Sequence, residues 1–137
     1  MSTSSSKKRL RFDRAEAKED ADGKCRVRVT LALGEDVVHA DAADAADGTG
    51  PLKAAAIATL KAVQEAAGNR FTCSLSDLDH VNALGKDLIA VLVDINFQGQ
   101  DVQVFGSCQL AGSDIDTAVK STLNATNRMF ELAMRGQ

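Results

Sequence analysis

Two stretches of this chain carry the same pattern, and that duplication limits its fold more than any single residue does. In the first stretch, Leu10, Phe12 and Ala15 give a weak strand signal, and polar residues with Gly23 make a turn. Val27, Val29, Leu31 and Leu33 then alternate with Arg26, Arg28, Thr30 and Ala32. Period two with β-branched residues marks a half-buried strand. Gly34-Glu35-Asp36 reads as a hairpin turn, and Val37 to Ala43 as a return strand weakened by its Ala and Asp content. Gly48-Thr49-Gly50-Pro51 breaks that strand, and Pro51 suits the first position of a helix. Leu52, Ala55, Ala56, Thr59, Leu60, Val63 and Ala67 recur at helical spacing, and Gly68 fits the stop.

The second stretch repeats this order. Phe71, Cys73 and Leu75 alternate, and Asn82 to Lys86 turns around Gly85. Ile89, Val91, Val93, Ile95 and Phe97 form the clearest strand pattern. Gly99-Gln100-Asp101 turns, and Val102, Val104, Gly106, Cys108 and Leu110 return. After Gly112-Ser113 comes a helix with Ile115, Ala118, Val119, Thr122, Leu123, Thr126 and Phe130, ending near Gly136. Gly34 to Val37 overlays Gly99 to Val102, and Leu52, Ala55, Thr59 and Leu60 overlay Ile115, Ala118, Thr122 and Leu123. A repeated unit of this kind cannot bury its apolar face alone. The expected fold is α+β: two β-β-β-α repeats with an antiparallel sheet layer and two helices. Repeat one would span residues 9–68 and repeat two 69–137, in one domain behind a disordered Ser/Lys tail at 1–8.

Composition narrows the class of partner. The 137 residues carry 16 basic and 19 acidic side chains, a net charge of −3, and no Trp or Tyr. That balance argues against nucleic acid or an anionic membrane as the main partner, since both call for concentrated Lys and Arg. No apolar run approaches the ~20 residues of a membrane span, and no apolar stretch follows Met1 as a secretory signal requires. Cys25, Cys73 and Cys108 are odd in number and far apart. We therefore expect no disulfide framework, no metal site and no cofactor, and a cytoplasmic setting. The first helix is crowded with alanine at 54, 55, 56, 58, 62, 66 and 67. A small-residue face allows close backbone approach, and association with a second copy, burying sheet or helix surface, would make a homodimer; the alternative is an ordinary Ala-rich helix.

The two helix openings differ in charge. Gly48-Thr49-Gly50-Pro51 has glycines that let a ligand near the backbone, a hydroxyl on Thr49, Lys53 in the first turn and no acid there. Free N–H groups and the helix dipole suit that end to a carboxylate. Ser113-Asp114-Ile115-Asp116 reads as a capping-box variant, with Ser113 and Asp116 as caps and Asp114 free to meet an ammonium. An amino-acid zwitterion would then place its carboxylate at the Gly48–Gly50 loop and its ammonium near Asp114. Its apolar side chain would rest on Leu52, Ala55 and Ile115. The plainer reading of both openings is a loop-to-helix turn. His39 and His80, near Asp41, Asp44, Asp77 and Asp79, lack an established ligand spacing and read as solvated surface. A Cys73–His80 nucleophile pair lacks an orienting third group, and Cys73 and Cys108 fall on apolar strand phases. The acidic run Asp41 to Asp47 reads as an exposed edge that discourages strand pairing.

These segments together resemble the C-terminal regulatory domain of 2-isopropylmalate synthase and citramalate synthase. Gly48-Thr49-Gly50-Pro51 before an Ala-rich helix is similar to that family's GxGPvdA segment, and Ala83-Leu84-Gly85 to its DAlG turn. Val102 to Gly106 with Ser113 to Ala118 resembles vtGxGvstDiveAS, and Leu123-Asn124-Ala125-Thr126-Asn127-Arg128 resembles yLnAlNrl. The likeness runs from Arg9 to Arg135. The chain departs from the pattern at Ala46, where a further glycine is common, at Phe71 in place of a tyrosine, and at Thr122 beside a usual aromatic.

The resemblance implies a non-catalytic, dimerising effector domain of an acyltransferase family. Such a domain binds leucine, isoleucine or a similar branched-chain amino acid near its dimer interface. Catalysis in that family belongs to a separate barrel of about 250 residues, which these 137 residues do not contain. A synthase catalytic subunit is then the expected protein partner. The rival class is a purely structural dimerisation or docking module without a ligand. A third, a small enzyme, would rest on Asp114, His80 or Cys73.

Overall fold

A computed structural model describes residues 9–135 and has the predicted α+β architecture. The Ser/Lys tail at 1–8 and the helix end at Gly136 lie outside the described residues. The first repeat runs β1 (Leu10–Glu19), β2 (Lys24–Leu33), β3 (Asp36–Ala45), α1 (Gly50–Ala66). The second runs β4 (Phe71–Ala83), β5 (Lys86–Phe97), β6 (Gln100–Gln109), α2 (Asp114–Arg135). The antiparallel strands form two separate three-stranded sheets, β1-β2-β3 and β4-β5-β6, rather than one layer. Each first strand carries one bulged residue, Asp13 in β1 and Ser76 in β4.

The central strands obey the predicted alternation. Val27, Val29 and Leu31 of β2 are fully buried, as are Ile89, Val91, Val93 and Ile95 of β5. Strand β3, weak in sequence, pairs along its whole length with β2. Its Ala and Asp content is tolerated because the stronger neighbour supplies the register. The hairpin of the second repeat turns one residue earlier than its sequence suggests. Gln98 and Gly99 occupy the turn, both left-handed (φ 56° and 80°), with Phe97 pairing Gln100. Two consecutive residues of that hand make the tight turn that suits strand twist. Gly34 is therefore equivalent to Gln98, not Gly99, and the strands of the repeats match at an offset of 64 rather than 65.

Each helix touches both sheets. Helix α1 packs on β2 and β3 of its own sheet and on β4 of the other. Helix α2 packs on β5 and β6 and on β1. The helices also touch each other, and Arg70, just past α1, reaches Met134 near the end of α2. The helix pair thus lies between the two sheets, whose helix-free faces point away from each other. Lys120 of α2 stands over the Phe12 ring of β1 at 5.8 Å, a cation–π contact across the repeats.

Small residues make this possible. Ala54, Ala55, Ala56, Ala58 and Ala62 are completely buried within the one chain. The alanine face expected to allow close backbone approach is therefore used internally, because α1 is covered from two sides. Helix α2 substitutes small polar residues: the hydroxyls of Ser121, Thr122 and Thr126 donate to carbonyls one turn back, and Ser121 also donates to Ile89 O at 2.8 Å. At Gly106 of β6 helix α2 lies directly against the strand. A Cβ there would sit 2.3 Å from Ser121 O and 2.6 Å from Ala125 N, both backbone atoms. Backbone cannot yield as a flexible side chain can, so overpacking there should exceed the usual penalty. Gly106→Val is expected to cost more than about 2 kcal/mol in urea unfolding. Gly85→Ala, in open space but left-handed (φ 75°), should cost about 1 kcal/mol. Equal costs would contradict the close packing of α2 on β6.

Candidate functional site

The two helix openings are each closed by their own chain to different degrees. Thr49 is the N-cap of α1 but its hydroxyl makes no capping bond. Gly48 has φ 60° with open space around it, so glycine serves the turn there. Gly50 is different. It is buried, and a Cβ on it would run into Ala45 O at 1.9 Å. The expectation that both glycines bare the backbone to a ligand fails at Gly50: the end of β3 fills that side. Pro51 follows inside the first turn, Leu52 is 8% exposed and Ala55 is fully buried. Neither apolar residue offers a surface on which a ligand side chain could rest.

At the other opening, Ser113 accepts a hydrogen bond at 3.2 Å from the Asp116 backbone N–H. That is the Ser113 half of the capping box read from the sequence; among the described residues no hydrogen bond from Ser113 N–H to the Asp116 carboxylate completes it. Asp114 is exposed and Ile115 half-buried. Among the described residues no hydrogen bond or ion pair joins residues 48–52 to residues 113–115. Nor does either set line the groove described below. Every buried side-chain nitrogen or oxygen among the described residues has a partner, so none waits for a ligand.

A groove lies instead beside the first opening, between α1 and β4. Its volume is about 680 Å3, within the range of small-molecule sites. Ile57, Leu60 and Leu75 supply apolar wall, Lys53 and Lys61 supply cations, and Glu65 and Asp77 supply anions. The bulge at Ser76 turns β4 locally, and β4 is an edge strand whose other side has no strand partner. Gln64 Oε1 accepts from the Cys73 backbone N–H at 3.0 Å, tying the edge to α1. Lys53 was legible in the sequence as a first-turn cation. The meeting of the other lining residues was not, because the groove forms only when β4 of repeat two lies along α1 of repeat one.

Cys73 lines this groove with its Sγ 3.6 Å from Leu60 O. Burial pushes the thiol up to about 11, so at neutral pH it is protonated and a poor nucleophile. His80 is exposed further along β4. Among the described residues no three His, Cys, Asp or Glu side chains stand together as a metal site, and His39 is exposed on β3. Cys25 is buried, and Cys25, Cys73 and Cys108 are all free thiols. No helix among the described residues is long and apolar enough to cross a membrane.

No protein-family model matches this chain, and no curated protein matches it in sequence.

Two predictions come from these local contacts. Ser113→Ala should cost about 1 kcal/mol of stability, whereas Thr49→Ala, which removes no capping bond, should cost less than about 0.5 kcal/mol. Comparable losses in chemical denaturation would refute the assignment. The second concerns pH. The folded Cys73 thiol holds its proton up to about 11 against an ordinary value of 9.0. The folded state therefore binds the proton more tightly, and its contribution to stability is complete below about pH 9 and lost as pH rises toward 11. Cys73→Ser should flatten that alkaline decline in thermal unfolding scans, and an unchanged slope would count against it.

Proposed function

We propose that this chain is a non-catalytic effector-binding and dimerisation domain of the 2-isopropylmalate synthase regulatory type. The observation that carries this reading is the duplicated β-β-β-α unit with both helices between the sheets. The segment resemblances from Gly48 to Arg128 supply the family. The effector is a branched-chain amino acid or a similar small zwitterion. It occupies the groove between α1 and β4 in preference to the two helix openings, since Ala45 closes Gly50 and both Leu52 and Ala55 are buried. Lys53 or Lys61 takes the carboxylate, Asp77 or Glu65 the ammonium, and Ile57, Leu60 and Leu75 the side chain. A synthase catalytic subunit is the partner through which such a ligand would act, because a ligand shifts only an equilibrium whose two states it binds unequally. A second reading, a docking module without a ligand, is favoured by the departure at Ala46.

Calorimetric titration with leucine, isoleucine and valine separates the two. Saturable heat is expected for at least one. Asp77→Asn should weaken that ligand by about tenfold, the loss expected for a charged hydrogen bond, while Asp114→Asn leaves it unchanged. The opposite order would return the site to the helix openings. Absence of heat and of any thermal shift with all three amino acids would leave the docking module.

A further inference from the structure

The helix-free faces of the two sheets carry opposite charge. On the first sheet the register places Arg11, Arg14, Lys18, Lys24, Arg26 and Arg28 on that face, against Asp13 at the bulge, Glu16 and Asp41. All six basic residues are exposed. Arg28 grips Asp41 with two hydrogen bonds, 2.8 and 3.1 Å, which hold that carboxyl below its usual range. That pair neutralises one acid and one base, leaving five basic against two acidic side chains free on the face. On the second sheet the same face carries Asp77, Asp79, Asp94 and Asp101, all exposed, against Lys86 alone. At its middle, Phe105 is 66% exposed beside half-buried Leu92. The first sheet answers with Val37, 59% exposed, next to Ala32. Whole-chain net charge hides this polarity, because the two faces largely cancel.

We propose that copies of this chain stack head to tail, the basic outer face of the first sheet on the acidic outer face of the second sheet of the next copy. Like faces cannot pair, since basic would meet basic and acid would meet acid. The two faces point in opposite directions, so one partner cannot cover both, and the contact is heterologous and open. Its size sets its strength. Three strands of ten residues make a face of about 33 by 14 Å, so one junction buries roughly 900 Å2 from both copies, below the ~1,200 Å2 of stable complexes. Stacking is then reversible, concentration-dependent and weakened by salt, which screens over about 10 Å at 0.1 M. Asp77 is shared with the effector groove and is left unchanged in the variants below, so the two proposals are tested separately. Stacking is also distinct from a closed dimer, which would have to use the open sides of the helix layer.

The test is sedimentation velocity over a concentration series in about 20 mM and about 500 mM NaCl. The mean mass should climb past that of a dimer at low salt and fall back at high salt. Two charge-reversed chains sharpen it: Arg14→Glu, Lys18→Glu and Arg26→Glu together, and Asp79→Lys, Asp94→Lys and Asp101→Lys together. Each alone should stay unstacked, with unchanged far-ultraviolet circular dichroism. Their equimolar mixture should associate again, because an acidified first sheet now meets a basic second sheet. Misfolded variants could not restore each other in this way. A chain that remains monomeric at low salt and high concentration overturns the proposal. So does a closed dimer indifferent to salt and to the reversals, although dimerisation itself would then stand. Tight binding of a duplex DNA probe by the basic face, without self-association, would reassign that face to a polyanion.

Discussion

Everything in this molecule rests on two helices lying close enough to two sheets to be shared by both. A helix packed between sheets must present small residues in more than one direction, or the layers cannot close on it. Helix α1 meets this with alanine on most of its circumference. Helix α2 meets it with Thr117, Ser121, Thr122 and Thr126, whose hydroxyls are satisfied within the helix or on Ile89. Gly106 beneath α2 and Ala42 at the matching position of β3 complete the fit from the sheet side. The core is thin in aromatic residues because the space between the layers is narrow.

This arrangement also explains where the chain has room to act. The helix layer is covered above and below, so its free surface is at the sides, where α1 meets the edge strand β4. The groove there belongs to neither repeat alone. Its chemistry is mixed: apolar wall, two lysines, two acids and a protonated thiol. That combination is why we propose a small zwitterion as its occupant, and the thiol is held in its un-ionised form by burial.

The helix openings show how a sound physical principle can apply and still be pre-empted. Unsatisfied N–H groups do favour anions. At Gly50, however, the carbonyl of Ala45 occupies the side a ligand would need, and at Ser113 the side chain supplies its own acceptor. Glycine in a loop is ambiguous for this reason. It can expose backbone to a ligand or let the chain's own backbone press close, and the sequence is the same in both cases. The alanines of α1 carry the same ambiguity between an internal and an external neighbour.

The alternation of Val27 to Leu33 and Ile89 to Phe97, the helical spacing from Leu52 and Ile115, and the repetition of both determined the elements and their order. These signals are local, arising from the two- and 3.6-residue periods of the backbone itself. The Ser113 cap was equally legible, because its partner lies three residues away. Only the tertiary structure decided that the strands divide into two sheets and that β4 lies along α1. It also decided that the alanine face is consumed internally, and that six basic and four acidic side chains gather on opposite outer faces. Those outcomes depend on which distant segments meet, and no periodicity within a single segment carries that information.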